Sequence, residues 1–232
     1  MRYIIYLLIS LWLSDAVAGV MPSQSRIIYS EKNRDQSIML ANTNDYPVIV
    51  QTWVDNGEGT PDVSNIPFVS VPSVFRLEPQ GIRGMRVIYN NTSLPQDRES
   101  LYWLNIYEIP PEKKDAAIKN SILVTMNTQM KLLYRPSGIR ISPEKAIEGI
   151  ACHHTYKNTL RCSNSSPINL SVIAVYARSA SKTIKSVDDD LLMAPFSDRE
   201  FHFNEDFTEK TVIILKYIND AGEQLSYTID KK

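Results

Sequence analysis

Between Ile122 and Pro136 apolar and polar side chains alternate at the two-residue period of a strand, and they do so for longer than strands usually run. Ile122, Val124, Met126, Met130, Leu132 and Tyr134 fall on one face, and Thr125, Asn127, Gln129, Lys131 and Arg135 on the other. At about 3.3 Å per residue the run spans about 45 Å, against about 17–20 Å for a typical strand. One small domain cannot bury such a row. Its first half is therefore expected to project along a sheet edge, where another chain can pair with it. Alternation alone also allows a plainer arrangement, with Ile122 to Met126 in a core and Pro136 ending the strand.

Shorter runs of the same kind precede it: Arg26 to Tyr29, Ser37 to Asn42, Val48 to Val54, Phe68 to Val71, Gly84 to Tyr89 and Leu101 to Ile109. Turn residues such as Asn56-Gly57-Glu58-Gly59 separate them. Short strands at this spacing predict an immunoglobulin-like sandwich. After Pro136 and Gly138, which break the ladder, the pattern restarts at Ile147 to His153, Thr159 to Cys162, Ile168 to Tyr176, Arg199 to Phe203, Thr211 to Ile218 and Leu225 to Ile229. The expected fold is all-β, with a first sandwich over residues 19–136 and a second over 137–232, joined by a short, stiff linker. No helical period extends over a useful length, and Pro111 to Asn120 reads as a turn or loop. Trp53 and Trp103 lie within alternating strands and are expected in the core.

The N-terminus changes the setting. Met1-Arg2, the apolar run from Ile4 to Leu13, and Ala16-Val17-Ala18 before Gly19 have the order of a secretory leader, so residues 1–18 are expected to be removed. The apolar run is too short to span a membrane, and no later segment approaches the needed length. A formal charge of −1 offers no basic excess for nucleic acid or anionic lipid. In an oxidising compartment Cys152 and Cys162 would lie opposite each other in a hairpin centred on Lys157, and a disulfide is expected.

Catalytic chemistry has no foothold in this sequence. His153 and His154 are strand neighbours whose rings would point to opposite faces, and His202 has no carboxylate or Cys partner near it in sequence. Asp188-Asp189-Asp190 lacks the spaced oxygen ligands and glycine of a calcium loop and reads as a solvated loop. There is no phosphate-binding glycine loop and no nucleophile elbow. The expectation is no enzyme, no metal and no cofactor.

Four segments together resemble a family. They are Leu94 to Pro111 (Leu-Pro-Gln-Asp-Arg-Glu-Ser-Leu-Tyr-Trp-Leu-Asn-Ile-Tyr-Glu-Ile-Pro-Pro), Lys131 to Pro136, Arg76-Leu77-Glu78-Pro79, and Tyr217-Ile218-Asn219-Asp220. They are similar to the signatures of the periplasmic chaperones that assemble pili by the chaperone–usher route, strongly in the first half and patchily in the second. The resemblance implies a boomerang of two immunoglobulin-like domains in the periplasm, whose cleft takes the C-terminus of a pilus or fimbrial subunit. By motif, Arg26 and Lys131 resemble the paired cations that grip the subunit carboxylate. Ile122, Val124 and Met126 resemble the donor residues that fill the groove left by the subunit's missing strand. Glu99, Arg135 and Asp220 resemble the charged trio that sets the interdomain angle. Delivery to an outer-membrane usher and a self-capping dimer of the free protein belong to the same expectation.

The chain also departs from the family pattern. Val71-Pro72-Ser73-Val74 stands where two prolines are common, which weakens any expectation of a cis proline. Gln80 occupies a place where glycine is expected, although Gly81 follows, and the cysteine pair is not general to the family. The short connection from Pro110 to Ser121 resembles the branch that builds rod-like pili. A surface-fibre subunit would share the sandwich but should be one incomplete domain, and a β-sandwich binding module should show an exposed aromatic platform.

Overall fold

The computed structural model describes residues 19–112, 124–208 and 211–229. The first half forms two facing sheets. One orders β1 (Val20–Pro22), β3 (Asp35–Asn42), β7 (Ile82–Tyr89) and β5 (Phe68–Val71) in that sequence across the sheet. The other runs β2 (Arg26–Ser30), β9 (Met126–Arg135), β8 (Ser100–Ile109), β4 (Val48–Asp55) and β6 (Val74–Leu77). Period-two burial in β3, β4 and β7 turns Ile38, Leu40, Val48, Val50, Met85 and Val87 into one core with Leu104, Leu132 and Tyr134.

The second half repeats the plan around its own core. Strands β10 (Ala151–Tyr156), β11 (Thr159–Asn164) and β15 (Ser197–His202) form one sheet. In the other, β12 (Leu170–Arg178) lies between β13 (Thr183–Lys185) and β16 (Val212–Ile218), β16 pairs with β17 (Gln224–Ile229), and β14 (Leu192–Met193) also joins β12. Leu170, Val175, Phe201, Phe203 and Leu215 are buried between these sheets. The two halves share a turn device. Asn42 Nδ2 donates to the carbonyls of Tyr46, Leu77 and Glu78, and Asn164 Nδ2 to those of Ile168, Met193 and Ala194.

Several expectations need correction. The strand expected from Ile147 to His153 begins only at Ala151, because Ser142 caps a short helix over Pro143–Ile147, accepting from Lys145 N–H, and Pro143 presets its first turn. The long central strand begins at Met126, so Val124 and Thr125 precede it without ladder pairing. Ile122 and most of the Pro110 to Ser121 connection lie outside the described residues. Val71-Pro72 is a cis peptide despite the departure from the usual sequence there. Gln80 adopts a positive φ of 55°, and its Nε2 donates to the carbonyls of Thr43 and Asn44, which offsets the strain of that backbone. Asp188 does reach His202 across the fold, with 2.8 Å between Oδ1 and Nδ1, and Asp190 pairs with Arg199.

Cys152 and Cys162 stand directly opposite in the β10–β11 ladder and are joined as a disulfide, with 4.1 Å between their Cα atoms. Among the described residues no group of His, Cys, Asp and Glu is placed to hold a metal ion, and no helix is long and apolar enough to cross a membrane.

Candidate functional site

The second and the last strands of the first half lie side by side. β2 runs parallel to β9, the one parallel pair among the described strands, and its ladder opens with Arg26 opposite Lys131. Both side chains leave the same face and reach the second half. Arg26 Nη1 donates to Ser171 Oγ at 3.2 Å and to the Ile218 carbonyl at 3.2 Å, while Lys131 Nζ donates to the same Ser171 Oγ at 3.1 Å. One neutral hydroxyl therefore receives two cations. Arg26 is only 7% exposed, and its Nε is buried with no hydrogen-bond partner.

Electrostatics at this spot are unfavourable in the free protein. Burial, followed by the charge of Arg26, pulls the Lys131 ammonium down to about 8, against an opposing pull from Asp190. Burial also lowers Arg26, with Asp220 and Glu99 working the other way. Lys131 Nζ sits 5.6 Å above the Trp103 ring, a cation–π contact that holds the ammonium in place. Trp103 and Trp53 are half-exposed, not core residues as expected.

Beyond Arg26 the edge of β9 opens. The β2–β9 ladder covers Lys131 to Arg135, whereas β8 pairs with β9 from Met126 through to Tyr134. Met126 to Met130 consequently has β8 on one side and, among the described residues, no strand on the other. The side chains leading into this edge are apolar yet solvated, Val124 at 70% and Met126 at 48% exposure. Met130, Leu132 and Tyr134, in the same row, are buried.

Glu99, Arg135 and Asp220 also come together. Arg135 Nε donates to Glu99 Oε1 at 2.6 Å, and its Nη1 and Nη2 grip both oxygens of Asp220 at 2.6 and 2.9 Å. Glu99 is buried and accepts from Asn169 N–H through its other oxygen. Burial works to lower Arg135, but its bonds to Asp220 and the charge of Glu99 outweigh it and hold the guanidinium above its ordinary value.

Of the residues singled out from the sequence, Arg26 and Lys131 lie together, Glu99, Arg135 and Asp220 lie together, and Val124 and Met126 stand exposed. Ser171 was missed. It lies in Asn169-Leu170-Ser171, where nothing distinguishes it from an ordinary strand hydroxyl.

Residues 19–140 match the family described as pili and flagellar-assembly chaperone, PapD N-terminal domain, and residues 145–229 match pili assembly chaperone PapD, C-terminal domain. The chain is 30% identical over 199 residues to the probable fimbrial chaperone YadV of Escherichia coli K12, covering 82% of this chain and 80% of that one. It is 32% identical over 222 residues to the chaperone protein MyfB of Yersinia enterocolitica, covering 89% and 81%. The crystal structure of the YadV chaperone superposes with a TM-score of 0.78 at 27% identity, and that of the CupB2 chaperone of Pseudomonas aeruginosa with 0.76 at 27%. Each comparison covers 90% of this chain and 98% of the solved one.

Proposed function

The chain belongs to the pili assembly chaperone family, and on that premise we propose that it holds a pilus subunit by extending the open edge of β9 into the subunit, with Arg26 and Lys131 clamping the subunit's terminal carboxylate. The observation that carries this reading is the place where β2 stops. Among the described residues, the unpaired edge of β9, Met126 to Met130, ends at a buried arginine and a half-buried lysine that share one neutral hydroxyl.

Charge and geometry then dictate the binding mode. A carboxylate placed between Arg26 and Lys131 supplies the anion that Ser171 lacks and gives the free Arg26 Nε an acceptor. A guest strand whose carboxylate lies at Lys131 and whose body lies along Met126 to Met130 must run parallel to β9, in line with β2. Val124 and Met126, exposed in the free protein, would enter the guest's open groove; Ile122 shares their place in the sequence period but lies outside the described residues. Each buried side chain contributes about 1.5–3 kcal/mol gross. The fixed carboxylate sets the register, since a slip of one residue turns every donor side chain to the wrong face.

The Glu99–Arg135–Asp220 bridge supports the clamp by fixing Ser171 and the second half behind it. With the division proposed at residue 136, immediately after Arg135, the bridge would lie at the joint. The work consists of strand pairing and burial, with no bond made or broken, so the protein acts as a non-enzymatic periplasmic chaperone. Handing the subunit to an outer-membrane usher follows if a neighbouring subunit's own extension fills the groove better and displaces the lent strand.

Co-expression with a pilus subunit tests the reading. A soluble one-to-one complex is expected with the native subunit, and loss of that complex when one residue is appended to the subunit's C-terminus. Equal capture of native and extended subunits overturns the carboxylate register.

A further inference from the structure

Gly19 and Glu108 meet at the opposite end of the first sandwich from the cation pair. Glu108, on β8, is 6% exposed, and its two oxygens accept from Val20 N–H at 2.9 Å and from Asn44 Nδ2 at 2.8 Å. Both donors are neutral, and among the described residues no cation lies within ion-pair distance of this carboxylate. A buried carboxylate in that state is costly. Gly19 is buried beside it, with its carbonyl held by Thr43 N–H and Thr43 Oγ1 at 3.0 and 2.7 Å. A Cβ built on Gly19 would lie 2.5 Å from Glu108 Oε2 and 3.6 Å from Met126 Sδ.

We propose that Glu108 is the receptor for the α-ammonium group created at Gly19 when the leader is removed, so that processing completes the seam between β1 and β8.

The leader pattern places the cut between Ala18 and Gly19, and the family match likewise begins at residue 19. In that hydrolysis water adds across the peptide bond. Ala18 departs as a carboxylate, and the Gly19 nitrogen, no longer an amide, takes up protons to become an ammonium. While residue 18 is attached, the Gly19 nitrogen is neutral and tied on both sides.

Once the bond is cut, rotation about the Gly19 Cα–C bond is free, because Thr43 holds the carbonyl and not the nitrogen. Such a rotation exchanges the positions around Cα, and one of them is the vacant Cβ position against Oε2. The new cation can therefore reach charge-assisted hydrogen-bond distance, about 2.7–2.9 Å, with little adjustment. Only glycine leaves that position clear. Its φ of +77° also favours glycine at this point in the chain.

Of the groups placed against Gly19, namely Thr43, Met126 and Glu108, only Glu108 is ionisable. Glu108 also stands opposite Met126 in the β8–β9 ladder.

Mass spectrometry of the exported protein first locates its N-terminus, and a start at any residue other than Gly19 overturns the proposal. The α-amino group of the mature chain, labelled at Gly19 and titrated by NMR, is expected to have a pKa above about 9, against about 7.7–8.0 for a free terminus. Glu108→Gln should return it to that range. N-terminal acetylation is expected to lower the Tm of wild type by about 3–8 °C and to leave Glu108→Gln unchanged. Should Glu108→Gln not fold, the wild-type titration decides alone. An α-amino group that titrates in the ordinary range, or a Tm indifferent to acetylation, overturns the proposal.

Discussion

Arg26 and Lys131, direct neighbours on parallel strands, donate to one and the same hydroxyl, that of Ser171 on the opposite domain. Two like charges converging on a neutral acceptor suit the terminal carboxylate proposed to bind there. Removing either cation would leave a bound carboxylate half-paired, a cost of about 2–5 kcal/mol. Arg26→Ala and Lys131→Ala should each weaken subunit binding by at least about 30-fold. Val124→Ala, which removes two methyl groups' worth of contact, should cost about 10-fold. Affinities measured on variants of equal Tm check the order, and a larger loss from Val124→Ala reverses it.

Binding should also respond to alkali. Free Lys131 titrates at about 8 in the folded protein, against 10.5 as the ordinary value. Between those values the unfolded chain holds more protons than the folded one. The group's cost to stability is therefore complete below about pH 8 and is relieved as pH rises toward 10.5. A bound carboxylate opposes this by favouring the ammonium, so the complex takes up a proton and its affinity falls as pH climbs through about 8. Calorimetry between about pH 6.5 and 9.5 should show that fall. Lys131→Ala should abolish it, whereas a flat wild-type profile rejects the clamp as described.

The ion bridge makes an asymmetric prediction. Arg135→Ala strands the buried Glu99 without its cation and should destabilise the protein by about 3–5 kcal/mol. Asp220→Ala leaves Arg135 bonded to Glu99, with its other end near solvent, and should cost about 1–3 kcal/mol. Urea denaturation of the two single variants and the double variant measures both values and their coupling.

The disulfide should matter locally. Cys152 and Cys162 close a short hairpin loop, and replacing both with Ser should cost about 2–3 kcal/mol. That loss should appear in the unfolding of the second sandwich, whose sheet carries the bridge, while subunit affinity stays within about two-fold of wild type. A first-domain transition that moves equally would argue against this confinement.

The parts of the fold that could be read in advance were those whose two faces meet different surroundings. Val48 to Asp55 and Ile82 to Tyr89 alternate because one side meets a core and the other meets water. Val74–Leu77 escaped notice because Pro72-Ser73 reads as a break, and such a short edge strand gives too few positions to show a period. The helix at Pro143–Ile147 had its signal in Ser142-Pro143-Glu144, but the strand pattern through His153 drew its start back to Ile147. At the site, motifs marked the charges. Ser171 and Glu108 carry no such mark, because their importance comes from residues far away in sequence that the fold brings to them.

The parallel pairing of β2 with β9 has a consequence for folding. The two cations of the proposed grip come from strands far apart in sequence, so an exported chain in which β9 has not yet docked has only an isolated arginine to offer. On the proposed reading, grasping ability switches on when that sandwich closes. Half-folded copies are thereby barred from seizing clients, and only finished ones enter service.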